Sequence, residues 1–132
     1  MKVLALDYGS ARTGVAVSDP TGTIARPLCV VERAAEGDGL ARLAKLVGRE
    51  GAERVVVGLP LTLRGERGHQ AGETERFVEA LRAVVGVPVE SFDERFTTAL
   101  AEQAPASDAP EDARAAAHLL ASYLTWSTDP TR

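Results

Sequence analysis

The chain has 132 residues, a net charge of −4 and one cysteine, Cys29, so it fits one domain and offers neither a disulfide nor a zinc cluster. Cys29 lies in an apolar run that predicts a buried structural thiol, and the acidic charge argues against a general nucleic-acid coat protein. The largely apolar stretch 115–126 is shorter than the ~20 residues of a bilayer span and the N-terminus lacks a signal-peptide pattern, so we expect one cytoplasmic domain over residues 1–132 without membrane contact.

The first part of the chain predicts three strands joined by tight turns. Apolar runs closed by turn residues favour strands over 2–7, 14–19 and 23–32. The sequence Asp19-Pro20-Thr21-Gly22 is typical of a turn between the last two. Strands connected in this way form an antiparallel meander.

The second part of the chain alternates helix and strand. Apolar residues repeat with helical spacing over 40–47 and 77–85, and short apolar strands follow at 54–58 and 88–92. Because helical crossovers join parallel strands, both strands should run parallel to the first. The predicted fold is therefore α/β, a five-stranded mixed sheet with an antiparallel meander, then parallel strands, and helices on both faces.

One edge of this sheet is predicted to gather charged residues. Asp7, segment 58–65 and segment 93–95 follow the carboxyl ends of parallel strands, where open α/β sheets bind ligands. A carboxylate at the end of an apolar strand lowers the stability of the fold unless a ligand or a hydrogen-bond donor binds it. We interpret this edge as the active site, although Asp7 also suits a simple turn and segment 93–95 a solvated charge cluster. Asp19 falls at the opposite edge.

A last helix, predicted from Asp108 or Ala109 to about Trp126, brings a further acid to this edge. Asp112 precedes Ala116, Leu119 and Tyr123 by 4, 7 and 11 residues and so continues the stripe that faces the sheet. The alternative is an acid favoured only by the helix dipole, with Asp108 and Glu111 forming a capping box.

Four blocks of residues, in order and spanning nearly the whole chain, carry a resemblance to a known family. They are Asp7-Tyr8-Gly9 with Arg12, Gly14 and Val15; Val57-Gly58-Leu59-Pro60 with Gly65; Asp93-Glu94-Arg95-Phe96-Thr97-Thr98; and Asp112 with Ala115, Ala116 and Leu119-Leu120. They resemble the pre-16S rRNA nuclease family, also called YqgF or RuvX, whose RNase H-like fold is related to Holliday-junction resolvases. The resemblance implies metal-dependent hydrolysis of phosphodiester bonds in processing the 5′ end of pre-16S ribosomal RNA.

The resemblance also implies an acidic triad of catalytic metal ligands. In this sequence the triad corresponds to Asp7, one acid of the pair Asp93 and Glu94, and Asp112. Within the pair we slightly favour Glu94. Such a site would use two divalent ions, Mg²⁺ or Mn²⁺, which prefer oxygen ligands. We expect Asp7 to be the bridging ligand.

Further residues are candidates for contact with the substrate. Three arginines are expected at the rim, where each can bind phosphate without reading bases. The full set of substrate-binding candidates is Arg12, Arg64, Arg95, Gly9, Gly58, Gly65 and Thr97. The Gly58-Leu59-Pro60 sequence equally suits a simple strand end.

The chain also has two histidines and one departure from the family pattern. We expect His118 to be structural and His69 to be exposed, and assign neither to metal. Members often carry a lysine two residues before the last aspartate, where this chain has Pro110. Either another cation, Arg114 or Arg67, compensates for the missing lysine, or this member has narrower or weaker activity.

Other functions remain open at this point. Within nucleases, the alternative is a Holliday-junction or single-stranded DNA nuclease in DNA repair, so the expected partner is RNA, or single-stranded or branched DNA. A non-catalytic RNA-binding ribosome-assembly factor would instead bind a pre-ribosomal particle. The Asp-x-Gly motif also opens sugar kinases and actin-like ATPases, but those need two domains. Monomer and homodimer are both compatible with the sequence.

Overall fold

A computed structural model describes residues 1–60, 68–94 and 108–128 of the chain. Its elements, in order, are β1 (Val3–Asp7), β2 (Arg12–Ser18), β3 (Ala25–Glu32), α1 (Gly37–Glu50), β4 (Arg54–Leu59), α2 (His69–Arg82), β5 (Val89–Asp93) and α3 (Glu111–Thr128). The sheet has the order β3-β2-β1-β4-β5. β1, β2 and β3 pair antiparallel, whereas β4 and β5 join β1 in parallel. The predicted mixed sheet is confirmed.

Alternation along the strands divides the core between the two faces of the sheet. Leu4 and Leu6 of β1 pack in a cluster with apolar residues of α1 and α2. Val3 and Ala5 face the other way, into a cluster with α3. Side chains one residue apart on a strand point to opposite faces, so a sheet covered on both sides needs apolar residues at every position. The prediction of helices on both faces is confirmed.

Two details differ from the sequence-based expectation. α3 begins at Glu111 rather than at Asp108 or Ala109, and the Pro110 carbonyl accepts the Arg114 N–H at 3.0 Å. The ring of Pro110 disfavours a helical backbone at the preceding residue, Ala109. This explains why the helix begins later than predicted. Glu111 is thus the first residue of the helix, not the partner in a capping box with Asp108. Cys29 is half-buried rather than buried, because its strand, β3, lies at the edge of the sheet.

No helix in the described portion of the chain combines the length and apolar character needed to cross a membrane.

Candidate active site

Asp7, Glu94 and Asp112 all lie at the carboxyl edge of the parallel strands. Asp7 ends β1, Glu94 directly follows β5, and Asp112 lies in the first turn of α3. Asp7 and Glu94 border a pocket of about 350 Å³ whose other wall is α3, with Ala115, His118 and Leu119. Three segments far apart in sequence therefore bring acids to one open pocket.

A glycine on β2 determines how closely α3 approaches Asp7. Gly14 pairs with Asp7 across the antiparallel ladder. A Cβ at Gly14 would lie 1.8 Å from the carbonyl oxygen of Asp112 and 3.0 Å from the Ala113 nitrogen. The first turn of α3 thus rests directly on the backbone of β2, a contact that any larger residue would block. This packing places Asp112 beside Asp7.

A second glycine makes room for Glu94. A Cβ at Gly58 would lie 2.7 Å from Glu94 Oε1 and 3.0 Å from Leu119 Cδ2. The Glu94 side chain therefore lies over the backbone of β4, on the face that α3 covers. Glu94 borders the pocket, whereas Asp93, paired with Leu59 in the ladder, is not among its described lining residues. Glu94 is thus the acid of this pair that borders the pocket, and Gly58 leaves the space that its side chain occupies.

Burial and the repulsion of neighbouring acids disfavour the charged forms of Asp7 and Glu94. Burial raises the pKa of Asp7 above its ordinary value, and the nearby charge of Asp112 adds to the effect. The pKa of Glu94 is raised by burial first, then by the charges of Asp7 and Asp93. Carboxylates held close in a half-buried pocket are stabilised when a cation binds between them, so this pocket favours a positively charged ligand.

Arg12 places one positive charge beside Asp112 at the rim of the pocket. It opens β2, is largely exposed, and its Nε lies 3.2 Å from Asp112 Oδ2. Among residues 1–60, 68–94 and 108–128, no three His, Cys, Asp or Glu side chains converge tightly enough to hold a metal ion. The donor set nevertheless suits a hard divalent cation, since it consists of carboxylate oxygens on one pocket edge. Asp112 is paired with Arg12 in this arrangement.

The structure also places other predicted residues. A Cβ at Gly9 would lie 2.5 Å from the Arg12 carbonyl oxygen, so Gly9 permits the tight turn between β1 and β2. The Arg114 Nε donates to the Ala109 carbonyl at 3.2 Å, at the start of α3. The predicted residues that fall outside the described ranges are Arg64, Gly65, Arg67, Arg95 and Thr97.

His118 is a pocket residue, whereas the sequence predicts only a structural role for it. It is half-buried and borders the pocket that contains Asp7 and Glu94. The spacing of three from Asp112 to Ala115 and again to His118 puts all of them on one side of α3. That spacing was the available signal for its position. His69 is exposed, as expected.

Comparison with known proteins defines the class of this protein. It has the RNase H-like fold of the RuvC-type resolvases. Thermus thermophilus RuvC, solved in complex with a Holliday junction substrate, superposes with a TM-score of 0.68 over 96% of this chain and 94% of that chain, at 20% identity. The fowlpox virus Holliday junction resolvase gives a TM-score of 0.55 over 96% and 99% of the two chains, at 12% identity. The predicted fold class is confirmed.

The particular family follows from sequence. The family model described as "RuvX: Holliday junction resolvase" matches residues 1–126, and the chain belongs to this family. A Chloroflexus aggregans relative named "Putative pre-16S rRNA nuclease" is 52% identical over 101 residues, which are 76% of this chain and 71% of that protein. A Desulforudis audaxviator relative with the same name is 43% identical over 103 residues, 78% and 73% of the two chains. The predicted resemblance is confirmed.

Proposed function

We propose that this protein is a divalent-metal-dependent nuclease that hydrolyses phosphodiester bonds in processing the 5′ end of pre-16S ribosomal RNA. The observation that carries the proposal is the convergence of Asp7 and Glu94 on one pocket, with Asp112 of α3 beside Asp7. The names of the close relatives support ribosomal RNA as the substrate.

Asp7, Glu94 and Asp112 are the proposed metal ligands. Two bound Mg²⁺ or Mn²⁺ ions would supply an activated water and charge stabilisation at the leaving oxygen. The three carboxylates would hold the cations, and the raised pKa values of Asp7 and Glu94 would fall as cation binding relieves the repulsion. Gly14 and Gly58 act as positioning residues, because each permits the backbone or side-chain approach that brings one acid to the pocket.

Arg12 has two successive roles in this proposal. It neutralises Asp112 while no cation is bound, as their contact indicates. If Asp112 held a cation, the Arg12 guanidinium would be free to contact the substrate phosphate. Arginine is suited to this exchange because carboxylate and phosphate both match its planar set of donors. Such contacts position the strand without reading its sequence, so binding should weaken strongly with added salt.

A second candidate substrate is branched DNA. It is favoured by the similarity of the fold to Thermus thermophilus RuvC, which was solved with a Holliday junction. The third candidate, a non-catalytic assembly factor that binds a pre-ribosomal particle, would use the same fold without cleavage. Cleavage assays on RNA and DNA substrates separate the three candidates.

The test compares wild type with Asp7→Asn on end-labelled RNA carrying the 5′ precursor segment of 16S rRNA, single-stranded DNA and a four-way junction. Each is incubated with Mn²⁺, Mg²⁺ or chelator. We expect cleavage by the wild type that chelator abolishes and that Asp7→Asn lowers about 1,000-fold, since the metal supplies several kcal/mol of transition-state stabilisation. Asp19→Asn, at the opposite edge of the sheet, is the matched control and should cleave like the wild type.

Three results would overturn the proposal or redirect it. Equal cleavage by wild type and Asp7→Asn would exclude the acidic pocket as the active site. Cleavage of the junction but not of RNA would replace ribosomal RNA with branched DNA. RNA binding without cleavage in any metal would favour the assembly factor.

A further inference from the structure

A second pocket opens at the same edge of the sheet, on the face opposite α3. It has a volume of about 460 Å³ and lies between Tyr8, which follows β1, and one side of α2 from His69 to Ala80, with Ala35 also at its border. Its chemically informative lining residues are Tyr8, His69, Glu73, Arg76 and Phe77. The acidic pocket with Asp7 is on the other face, so the two pockets are separated by the thickness of the sheet edge.

Two aromatic rings provide one wall. The ring centroids of Tyr8 and Phe77 are 4.4 Å apart with an interplanar angle of 19°. Phe77 is only 2% exposed, whereas Tyr8 is half-buried. The buried ring therefore holds the more exposed Tyr8 ring in a fixed orientation at the pocket. A pre-oriented aromatic ring can stack with a planar ligand at little cost in conformational entropy.

Polar groups of α2 surround this wall. The Tyr8 hydroxyl donates to Glu73 Oε1 at 3.3 Å. Arg76 lies three residues beyond Glu73 on the same side of the helix and borders the same pocket, as does the exposed His69. The pocket thus combines an acceptor, a cationic donor and an aromatic face. A nucleobase with its adjoining phosphate matches all three, whereas a free phosphate would use neither the ring nor the carboxylate.

The position of Tyr8 in the chain links this pocket to the proposed site of cleavage. Tyr8 directly follows Asp7, the last residue of β1, and packs against the cluster of Leu4 and Leu6, so it faces the side of the sheet opposite α3. Asp7 borders the pocket beneath α3 and Tyr8 the pocket beside α2. A nucleic-acid strand that crosses the sheet edge at Asp7 passes directly over Tyr8.

We propose that the Tyr8 pocket binds an unpaired nucleobase next to the phosphate cleaved at Asp7, and so restricts the enzyme to single-stranded segments, loops or ends. This inference rests on the proposed nuclease function and deepens it. A base inside a duplex has its faces covered by its neighbours, so only an unstacked base can enter. The ring accepts any base, and Glu73 and Arg76 set a preference among bases.

Binding in chelator tests the inference without cleavage. The probe is a 10-nucleotide single-stranded RNA with 2-aminopurine at one position, and its hairpin counterpart places the same base in a duplex. We expect the protein to quench the single-stranded probe on binding and to leave the hairpin probe unchanged. Tyr8→Leu should weaken single-strand binding about 5- to 100-fold, as loss of one base stack predicts, and should abolish quenching. Tyr8→Phe keeps the ring and should restore both.

Arg76→Ala is a second variant, and it should fold like the wild type because Arg76 is exposed and does not pack in the core. It should weaken binding and flatten the dependence of affinity on salt. Glu79→Ala, an exposed residue farther along α2 that does not border the pocket, is the matched control and should bind like the wild type. The DNA version of the probe shows whether the pocket distinguishes the two sugars.

The outcomes separate this inference from the function on which it rests. If folded Tyr8→Leu quenches and binds like the wild type, or if hairpin and single strand bind equally, the Tyr8 pocket is not a base site, whatever the cleavage assay shows. If quenching depends on Tyr8 but no substrate is cleaved in any metal, the nuclease proposal fails and the base site stands.

Discussion

Asp7 ends β1 and Asp19 follows β2, and because these neighbouring strands are antiparallel the two aspartates lie at opposite edges of the sheet. The two carboxylates differ in the groups that surround them. The Asp19 carboxylate accepts hydrogen bonds from the backbone N–H groups of Thr21, Thr23 and Ile24. It also accepts one from the Thr21 hydroxyl. These hydrogen bonds hold the pKa of Asp19 well below its ordinary range. In the described parts of the chain no hydrogen bond reaches the Asp7 carboxylate, and burial raises its pKa.

The difference shows how one residue type serves two purposes. A carboxylate surrounded by backbone amides is satisfied within the protein and stabilises a turn. A carboxylate left half-buried among other acids needs a cation or a proton from outside. Asp19 is therefore satisfied within its own turn, and the contrast supports the proposal that Asp7 binds a cation.

The largest effect on stability is expected at Gly14. Gly14→Ala should lower the free energy of unfolding by about 3 kcal/mol, since its Cβ would overlap the Asp112 backbone, which cannot move as a side chain can. In the Asp19 turn, Gly22→Ala should cost about 1–2 kcal/mol, mainly because Gly22 has φ of +72°. Gly37→Ala, with nothing within 4 Å of its Cβ, is the control. Urea unfolding measures all three, and equal stability of Gly14→Ala and wild type would contradict the seating of α3 on β2.

A smaller effect, on cleavage rather than stability, is expected at Gly58. Gly58→Ala should displace the Glu94 carboxylate, which can rotate away, and lower cleavage about 10- to 100-fold, as is typical for residues that orient metal ligands. The control is a double-mutant cycle with Glu94→Ala, read by single-turnover cleavage. If Gly58 acts through Glu94, the glycine substitution should add little in the Glu94→Ala background. Full additivity would show that Gly58 acts independently of Glu94.

The smallest expected effects concern the dependence of stability on pH. The raised pKa of Asp7 means that its ionised form is less favourable in the folded than in the unfolded chain, so its contribution becomes unfavourable as pH rises above the ordinary value of 3.8. In chelator at pH 7, Asp7→Asn should therefore melt at a higher temperature than wild type. The advantage should vanish below the ordinary pKa, where the carboxyl is protonated in both states.

The change in melting temperature at pH 7 should have the opposite sign for Asp19→Asn. The lowered pKa of Asp19 stabilises the fold above the ordinary value of 3.8, and this contribution is lost as pH falls towards the folded-state pKa. Asp19→Asn should melt below the wild type at pH 7 and approach it in strong acid. Thermal scans from pH 2 to 8 measure both variants. Shifts of the same sign for Asp7→Asn and Asp19→Asn would remove the distinction between the two aspartates.

The sequence by itself determined the sheet and the edge at which the acids meet. Apolar runs, turn residues and two helical crossovers suffice to orient the strands, because crossovers join parallel strands. Asp7 and Asp112 could be placed from a strand end and a helix stripe, which are local patterns. The resemblance to the RuvX family drew on the same residues.

Only the tertiary structure decided which neighbours those residues meet. Glu94 rather than Asp93 borders the pocket because Gly58, on another strand, leaves space for its side chain. Gly14 admits the backbone of α3, and Tyr8 stacks on Phe77 from α2. Each of these contacts joins segments distant in the chain, and periodicity within one segment carries no information about the distance to another.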